Sequence, residues 1–335
     1  MTLAACTGAP EAGETAPAVT VEGFGALAGL TGTRWRVDAG TPAPDRREMS
    51  EWSYDLADHV IVEKTVSGDG QHAALAYYRM IGPYQKVERI RVSSDGCRSE
   101  APVNVMSDGS WSAPASPDTR KGASEARTTG RIADARTLVF ETEQKLPDGW
   151  RATRRKELVR TDDPMPAAAP EPPEVQWAAF GPLARLAGTR WYGDPGEEDM
   201  AKGQPADISE WQWELGGAIL VNRHVLENGS YGGITLIRPD CRTGALSYDY
   251  ITSAGFVTSG TFELKEDGSW VSEEDVHGIV HILKVRSTGR LRDDGTMTSE
   301  SKFLGDDGEW GAGHVFTYSR TDMPMPVLVP AGVPQ

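Results

Sequence analysis

The chain has 335 residues, with 49 acidic against 34 basic side chains and a formal net charge of −15. Its length suggests two domains, since one domain takes about 100–200 residues. The acidic balance argues against nucleic acid as a partner, because phosphate binding needs clustered Lys and Arg. No apolar run reaches the ~18 residues that a membrane-spanning helix requires. The 37 glycines and 22 prolines favour β structure with many turns.

The first residues resemble the start of a bacterial lipoprotein. The segment Leu3-Ala4-Ala5-Cys6 resembles a lipobox, and residues 7–20 are rich in Ala, Gly, Pro, Glu and Thr, as in a flexible tether. The resemblance implies acylation of Cys6, a tether over residues 1–20 and a place in the bacterial cell envelope, facing the periplasm. Membrane contact is then expected only through this lipid anchor. The alternative is a cytoplasmic protein with a disordered N-terminus.

The sequence contains an internal repeat. The segment from Phe24 to Trp35 recurs from Phe180 to Trp191, and Asp108-Gly109-Ser110-Trp111 recurs as Asp267-Gly268-Ser269-Trp270. Further matches follow in the same order, most of them at a separation of 159 residues. This regularity predicts a tandem duplication. We expect a first domain over residues 21–163, a Pro-rich linker over 164–174, a second domain over 175–323 and a tail over 324–335.

Each copy predicts an antiparallel meander. A short amphipathic segment opens the copy, and strand-like runs then alternate with Gly, Asp and Asn turns. A meander of this length closes into a barrel, which removes exposed strand edges. The predicted fold is all-β, with two tandem up-and-down β-barrels, each preceded by a short helix. In the second copy the strand-like runs cover 209–215, 218–227, 231–238, 245–252, 256–265, 269–276, 279–288, 297–304 and 313–319.

This pattern resembles the calycin superfamily, which includes lipocalins and many uncharacterised bacterial lipocalin-like domains. Gly188-Thr189-Arg190-Trp191 follows the short helix and opens the first strand, as Gly and Trp do in calycins. The phrases 211–217, 229–233 and 254–260 are similar to the bacterial group. The resemblance implies ligand-holding barrels. No cofactor is predicted, and the alternative is haem, because nitrobindin-like members use a histidine of a late strand as its axial ligand and His314 lies in the last strand-like run.

The two copies act as an internal control on individual residues. Tryptophans present in both copies are best explained by the shared fold, and these are Trp35, Trp52, Trp111, Trp191, Trp211 and Trp270. Polar and aromatic residues present in the second copy alone are candidates for ligand binding: His224, Tyr231, Tyr248, Tyr250, Phe256, Thr258 and His281. The first copy has Arg89 and Arg91 where the second has the tyrosine pair. We therefore expect the first barrel to be degenerate. The alternative places the tyrosines on the outer face, toward the first domain.

The predicted function is binding of a small, partly apolar ligand inside the second barrel. One alternative is a barrel-cavity enzyme of the isomerase, hydratase or cyclase type, with His224, Tyr231 and Glu274 as catalytic residues. A third interpretation is a structural or protein-interaction module of the envelope. His277 and His281 cannot share a metal on a strand, where four residues span ~13 Å, so no metal site is predicted. Cys97 and Cys241 do not occupy equivalent positions, so free thiols are expected, with one disulfide as the alternative.

Overall fold

The computed structural model describes residues 21–37, 48–81, 86–115, 122–171, 173–278 and 281–329. Cys6 and the predicted tether lie outside these residues. The chain forms two compact units. One unit holds the described residues of Val19–Ser94 and Arg98–Ala169, and the other holds Asp95–Cys97 and the described residues from Pro170 onward.

The first unit is a closed antiparallel barrel of ten strands, in which β1 pairs with both β2 and β10. A 3-10 helix over Val21–Leu30 precedes the barrel. Its strands are β1 (Thr33–Val37), β2 (Met49–Asp55), β3 (Val60–Val66), β4 (Ala73–Ile81), β5 (Lys86–Ser93), β6 (Arg98–Val105), β7 (Ser110–Ala115), β8 (Glu125–Asp134), β9 (Thr137–Leu146) and β10 (Gly149–Arg160).

The second unit repeats this architecture, with β11 pairing with both β12 and β20. Helix α1 (Pro173–Phe180) and a 3-10 turn over Gly181–Leu186 precede it, and a short helix α2 (Glu197–Ala201) follows β11. Its strands are β11 (Thr189–Asp194), β12 (Asp207–Glu214), β13 (Ile219–Leu226), β14 (Gly232–Pro239), β15 (Leu246–Thr252), β16 (Val257–Leu264), β17 (Ser269–His277), β18 (Ile282–Leu291), β19 (Met297–Gly305) and β20 (Trp310–Arg320).

The predicted all-β fold of two tandem antiparallel barrels is thus confirmed. Nine of the strands of the second barrel are the nine predicted runs, with ends that differ by three residues or fewer, and the tenth is the strand that Gly-Thr-Arg-Trp opens. Helix α2 was not predicted. No helix among the described residues is both long enough and apolar enough to span a bilayer.

The tryptophans shared by the two copies build the barrel cores. None of the six is more than 4% exposed. In the second barrel they pack with Phe180, Leu183 and Leu186 of the leading helical segment. Arg320 stacks over the ring of Trp191, with 5.3 Å between the guanidinium carbon and the ring centroid. These contacts agree with a structural role for the shared tryptophans.

The segment after the last strand makes an equivalent contact in each unit. The amide of Ala169 donates to the carbonyl oxygen of Gly70, and the amide of Val329 donates to that of Gly229. Both glycines lie in the turn after the third strand of their barrel, with φ near +70°. A Cβ atom at either glycine would also collide with a backbone carbonyl of the segment that crosses it. The duplicated unit therefore includes part of the expected linker and part of the expected tail.

The expectation of free thiols at Cys97 and Cys241 was wrong. The two residues form a disulfide with their Cα atoms 4.9 Å apart, within the range that a disulfide requires. The expectation assumed that Cys97 belongs to the first barrel, because it lies between β5 and β6. The segment Asp95–Cys97 is instead part of the second compact unit, which also contains Cys241.

Candidate functional site in the second barrel

A row of five buried residues crosses five neighbouring strands of the second barrel. Directly opposed residues of antiparallel strands point to the same face of a sheet. Trp211 and Tyr250 belong to the hydrophobic core, so the row faces the interior. None of its members is more than 1% exposed. We call this set the polar row, and in register it consists of Trp211, Asn222, Thr235, Tyr250 and Thr258.

Three members of the polar row carry polar atoms with no hydrogen-bond partner among the described residues. They are the Trp211 indole nitrogen, the Thr235 hydroxyl and both amide atoms of Asn222. Burying a polar group without a partner costs about 1–3 kcal/mol. Four such atoms lie on three adjacent strands. The unfavourable free energy of burying them is therefore concentrated in one part of the barrel wall. They present donors and acceptors toward the centre of the barrel.

His224 lies at the centre of a buried chain of hydrogen bonds. Its Nδ1 is 2.9 Å from Oδ1 of Asp207, and its Nε2 is 2.7 Å from the hydroxyl of Tyr250. Because a carboxylate only accepts, the proton lies on Nδ1, and in the neutral ring Nε2 accepts from Tyr250. The Tyr250 hydroxyl is 2.6 Å from that of Tyr231, and the Tyr318 hydroxyl donates to Oδ2 of Asp207 over 3.2 Å. We call these five residues the histidine relay.

Glycines on neighbouring strands make room for the rings of the histidine relay. The ring of Tyr250 covers Gly233, and the ring of Tyr318 covers Gly193. A side chain at either glycine would collide with the ring above it. Gly233 also stands opposite His224 on the neighbouring strand. Close approach of the rings to the backbone therefore explains glycine at these two strand positions.

Glu274 adds a buried carboxyl group to the interior. It stands opposite Gly260, which in turn stands opposite Tyr248, so the three share one face. Its side chain is 2% exposed. The Thr258 hydroxyl donates to its Oε2, whereas Oε1 has no partner among the described residues. Burial raises the pKa of Glu274 to about 8, although hydrogen bonding to Thr258 and Tyr248 opposes this shift.

Among the described residues, no buried Lys or Arg on the inner face offsets this carboxyl. Among the described residues of the second barrel, Arg238 is the one buried Lys or Arg, and it pairs with Asp249 at 2.8 Å. Asp249 lies between Tyr248 and Tyr250 on β15, so it points to the opposite face of the strand. The buried ion pair is therefore on the outer side of the barrel wall, whereas Glu274 is on the inner side.

The structure brings most of the predicted site residues together. Rings of His224, Tyr231, Tyr250 and Phe256 contact one another, with centroids 5.6–6.4 Å apart. Tyr248 packs on Phe262 at 4.5 Å, and Thr258 bonds to Glu274. The tyrosine pair is 1% exposed and lies in the core, so the alternative of outward tyrosines is wrong.

Two histidines lie apart from this cluster. The prediction that His281 lines the interior was wrong, because it precedes β18 and its side chain is 80% exposed beside Asp306. The ring of His314 packs between Phe303 and Phe316. No group of three or more His, Cys, Asp or Glu side chains in the described residues is arranged to hold a metal ion.

Sequence reasoning missed Asp207, Asn222 and Tyr318. The comparison of the two copies does not single out the first two, because Glu48 and Glu63 at the equivalent positions are also polar. Thr235 could have been found, since the first copy has Ala76 at that position. Its place next to Asn222 and Tyr250 becomes evident only from the strand register.

The first barrel differs from the second in the charged side chains near its buried glutamate. The Tyr78 hydroxyl donates to Oε2 of Glu63 over 2.8 Å. Burial raises the pKa of Glu63, while the charges of Arg89 and Arg91 lower it. These arginines therefore lie near a carboxyl group. The register places Arg91 at the position of Tyr250 and Arg89 at that of Tyr248, since Tyr78 pairs with Arg89 as Ile237 pairs with Tyr248.

Fold and site together define a protein of two tandem ten-stranded antiparallel barrels, of which the second encloses buried, hydrogen-bonding side chains. No known protein family and no curated protein matches the sequence. Among solved structures, the chain is similar to a DUF3598-family protein of unknown function from Nostoc punctiforme, with 12% identity, coverage of 86% of this chain and 96% of that one, and a TM-score of 0.28. It is also similar to a variant of transferrin binding protein B from Haemophilus parasuis, with 8% identity, coverage of 83% and 67%, and a TM-score of 0.17. Scores this low carry no argument about function.

Proposed function

We propose that the second barrel binds a small molecule with both apolar and hydrogen-bonding parts. The observation that carries this proposal is Asn222, a fully buried amide whose oxygen and nitrogen both have no partner among the described residues. A ligand that offers one donor and one acceptor would remove this cost, and the surrounding rings would cover its apolar part. Barrels of eight strands already hold one small ligand in some proteins, and this barrel has ten.

Native mass spectrometry of the purified protein tests the proposal. We expect a bound small molecule in the wild type and its loss in Asn222→Leu, which keeps the volume but removes both hydrogen-bonding atoms. Glu63→Gln changes the equivalent position of the first barrel and is the matched control, which should retain the molecule. Ordered water alone in the second barrel, shown by a mass equal to that of the bare chain, would contradict the proposal.

The closed antiparallel barrels support the resemblance to calycins. The polar side chains of the interior indicate that the ligand has hydrogen-bonding groups as well as apolar parts. An entirely apolar ligand, such as an alkane chain, would leave the polar atoms of Trp211, Asn222 and Thr235 without partners. The charged first barrel, with Arg89 and Arg91 beside Glu63, fits the view that it does not hold this ligand. Tyr248→Ala should weaken binding by about 1–3 kcal/mol, through loss of the ring and of its buried hydroxyl.

A second candidate, acid–base catalysis, is supported by the histidine relay. Asp207 orients the His224 ring, and Nε2 bonds to a tyrosine hydroxyl that is itself bonded to Tyr231. Such a chain can move a proton to or from a molecule that contacts the tyrosines. His224→Gln distinguishes the two functions. A binding protein should carry the same compound in wild type and variant, whereas an enzyme should carry product in one and substrate in the other.

We further propose that the protein is anchored in the cell envelope through an acylated Cys6. The disulfide of Cys97 and Cys241 supports an oxidising compartment, because structural disulfides are rare in the cytosol. Incorporation of labelled fatty acid into the wild type, but not into Cys6→Ala, would support the anchor. Recovery of both proteins in the cytosolic fraction would contradict it.

A further inference from the structure

We propose that the ligand of the second barrel carries a protonated organic amine, and that Glu274 is the group that pairs with it. This inference rests on the proposed function and names the chemical class of the ligand. It starts from a carboxyl group that is 2% exposed and has one oxygen without a partner among the described residues.

The charge of the barrel interior favours a cation. The buried carboxyls on the inner face are Asp207 and Glu274, and the one buried Lys or Arg in the described part of this barrel pairs with Asp249 on the outer face. Asp207 already accepts from His224 and Tyr318. Glu274 accepts from Thr258 through Oε2, and its Oε1 has no partner among the described residues. An anionic ligand would find no buried Lys or Arg on the inner face among the described residues, whereas an ammonium group would find an open carboxyl oxygen.

The surroundings of Glu274 suit an organic cation better than a metal ion. Metal ions such as Ca²⁺ need several oxygen ligands, and the described residues contain no cluster of three or more acidic, His or Cys side chains. Tyr248 lies across Gly260 from Glu274, and its ring packs against that of Phe262. Aromatic faces attract ammonium groups once these are stripped of water, and a carboxyl beside two rings combines both attractions.

Gly260 lets Glu274 pack close to the strand that separates it from Tyr248. It stands between these two residues in the register, and a Cβ atom there would collide with the carbonyl oxygen of Glu273 and with the Cβ atom of Glu274. Glycine at this position therefore allows β16 and β17 to approach each other closely. The first barrel has no equivalent of this arrangement, because Ala115 stands where the second barrel has Glu274.

Matched pairs of probes test the inference on the full-length protein. Straight-chain primary amines of four to twelve carbons and 2-phenylethylamine are compared with the alcohols of the same skeletons by isothermal titration calorimetry. The comparison is made at pH 9, where Glu274 is mostly ionised and the amines still hold their proton. We expect at least one amine to bind about tenfold more tightly than its alcohol, as a buried charged hydrogen bond implies. In Glu274→Gln the ratio should fall to about one.

Glu273→Gln is the control variant. Glu273 is the preceding residue of β17, points to the outer face and pairs with Arg286. The variant should keep the preference of the wild type for amines. Equal binding of amines and alcohols by the wild type, binding of no amine at all, or an unchanged ratio in Glu274→Gln would overturn the inference. The proposed function is judged separately, by a co-purified molecule that Asn222→Leu loses.

Discussion

The imidazole of His224 and the carboxylate of Asp207 form a hydrogen bond of 2.9 Å in which both side chains are at most 1% exposed. His224 lies on β13 and Asp207 begins β12, so the bond joins two neighbouring strands at the same end of the barrel. Asp207 also accepts from Tyr318 on β20, across β11. Asp207 thus links β13 with β20, which lie on opposite sides of the β11–β12 pair.

Asp207→Ala should therefore lower the free energy of unfolding by about 2–5 kcal/mol, since it leaves a buried imidazole and a buried hydroxyl without their acceptor. Urea denaturation measures this change. The matched control is Glu48→Ala at the equivalent position of the first barrel, where a half-exposed carboxylate pairs with Lys156. Its cost should stay within about 1 kcal/mol. Equal costs for the two variants would contradict a special role for the buried bond.

The fold was predictable from the sequence because the repeat preserves strand register. Trp52 pairs with Glu63 and Trp211 with Asn222, so the separation of 159 residues holds across paired strands. Alternating patterns and Gly turns then fix the strands of each copy. Helix α2 was missed because its residues, Glu197–Ala201, occur in one copy alone and have no apolar periodicity.

Only part of the site was predictable, because comparing the two copies finds a residue only where its chemical type differs between them. Tyr250 and His224 differ in type from Arg91 and Thr65, so the comparison of the copies finds them. Asp207 and Asn222 replace one polar residue by another, and their importance depends on burial. Burial of a polar side chain follows from the closure of the barrel by distant strands, which no local pattern specifies. The disulfide also joins residues 144 positions apart.

Asn222→Leu should stabilise the ligand-free protein. The substitution removes two buried polar atoms that have no partner among the described residues, and the expected gain in the free energy of unfolding is about 1–2 kcal/mol. Urea denaturation of protein stripped of small molecules measures it. Asn104→Leu, at an exposed position of the first barrel, is the control and should change stability by no more than about 0.5 kcal/mol. A large loss of stability in Asn222→Leu would show that the amide has partners in solution.

Glu274 should make stability depend on pH. Burial raises its pKa from 4.5 to about 8, so between these values the folded state holds a proton that the unfolded state has lost. The contribution of this group to stability is fully present below pH 4.5 and is lost as the pH rises through about 8.

Glu274→Gln removes this titration and is expected to be more stable than the wild type at pH 8, by up to about 4–5 kcal/mol. The difference between the two proteins should shrink steadily toward pH 5, because the unfolded wild type then regains the proton that the folded state already holds. Thermal or urea unfolding over this pH range measures it, and Glu273→Gln on the outer face is the control. A difference that does not change with pH would show that Glu274 titrates normally.

Cys97 and Cys241 should contribute to stability through their disulfide. Their Cα atoms are 4.9 Å apart, and the bond closes a loop with a sequence separation of 144 residues. Closing so long a loop restricts the unfolded chain, and the entropic model gives a stabilisation of about 5 kcal/mol.

In a Cys6→Ser background, the oxidised protein should show no reactive thiol under denaturing conditions and two after reduction, with a mass gain of two hydrogens. The Cys97→Ser and Cys241→Ser variants should each unfold at lower urea concentration, and the double variant should lose no more than either single one, since all three lack the same bond. Two reactive thiols in the protein purified without reductant would contradict the disulfide.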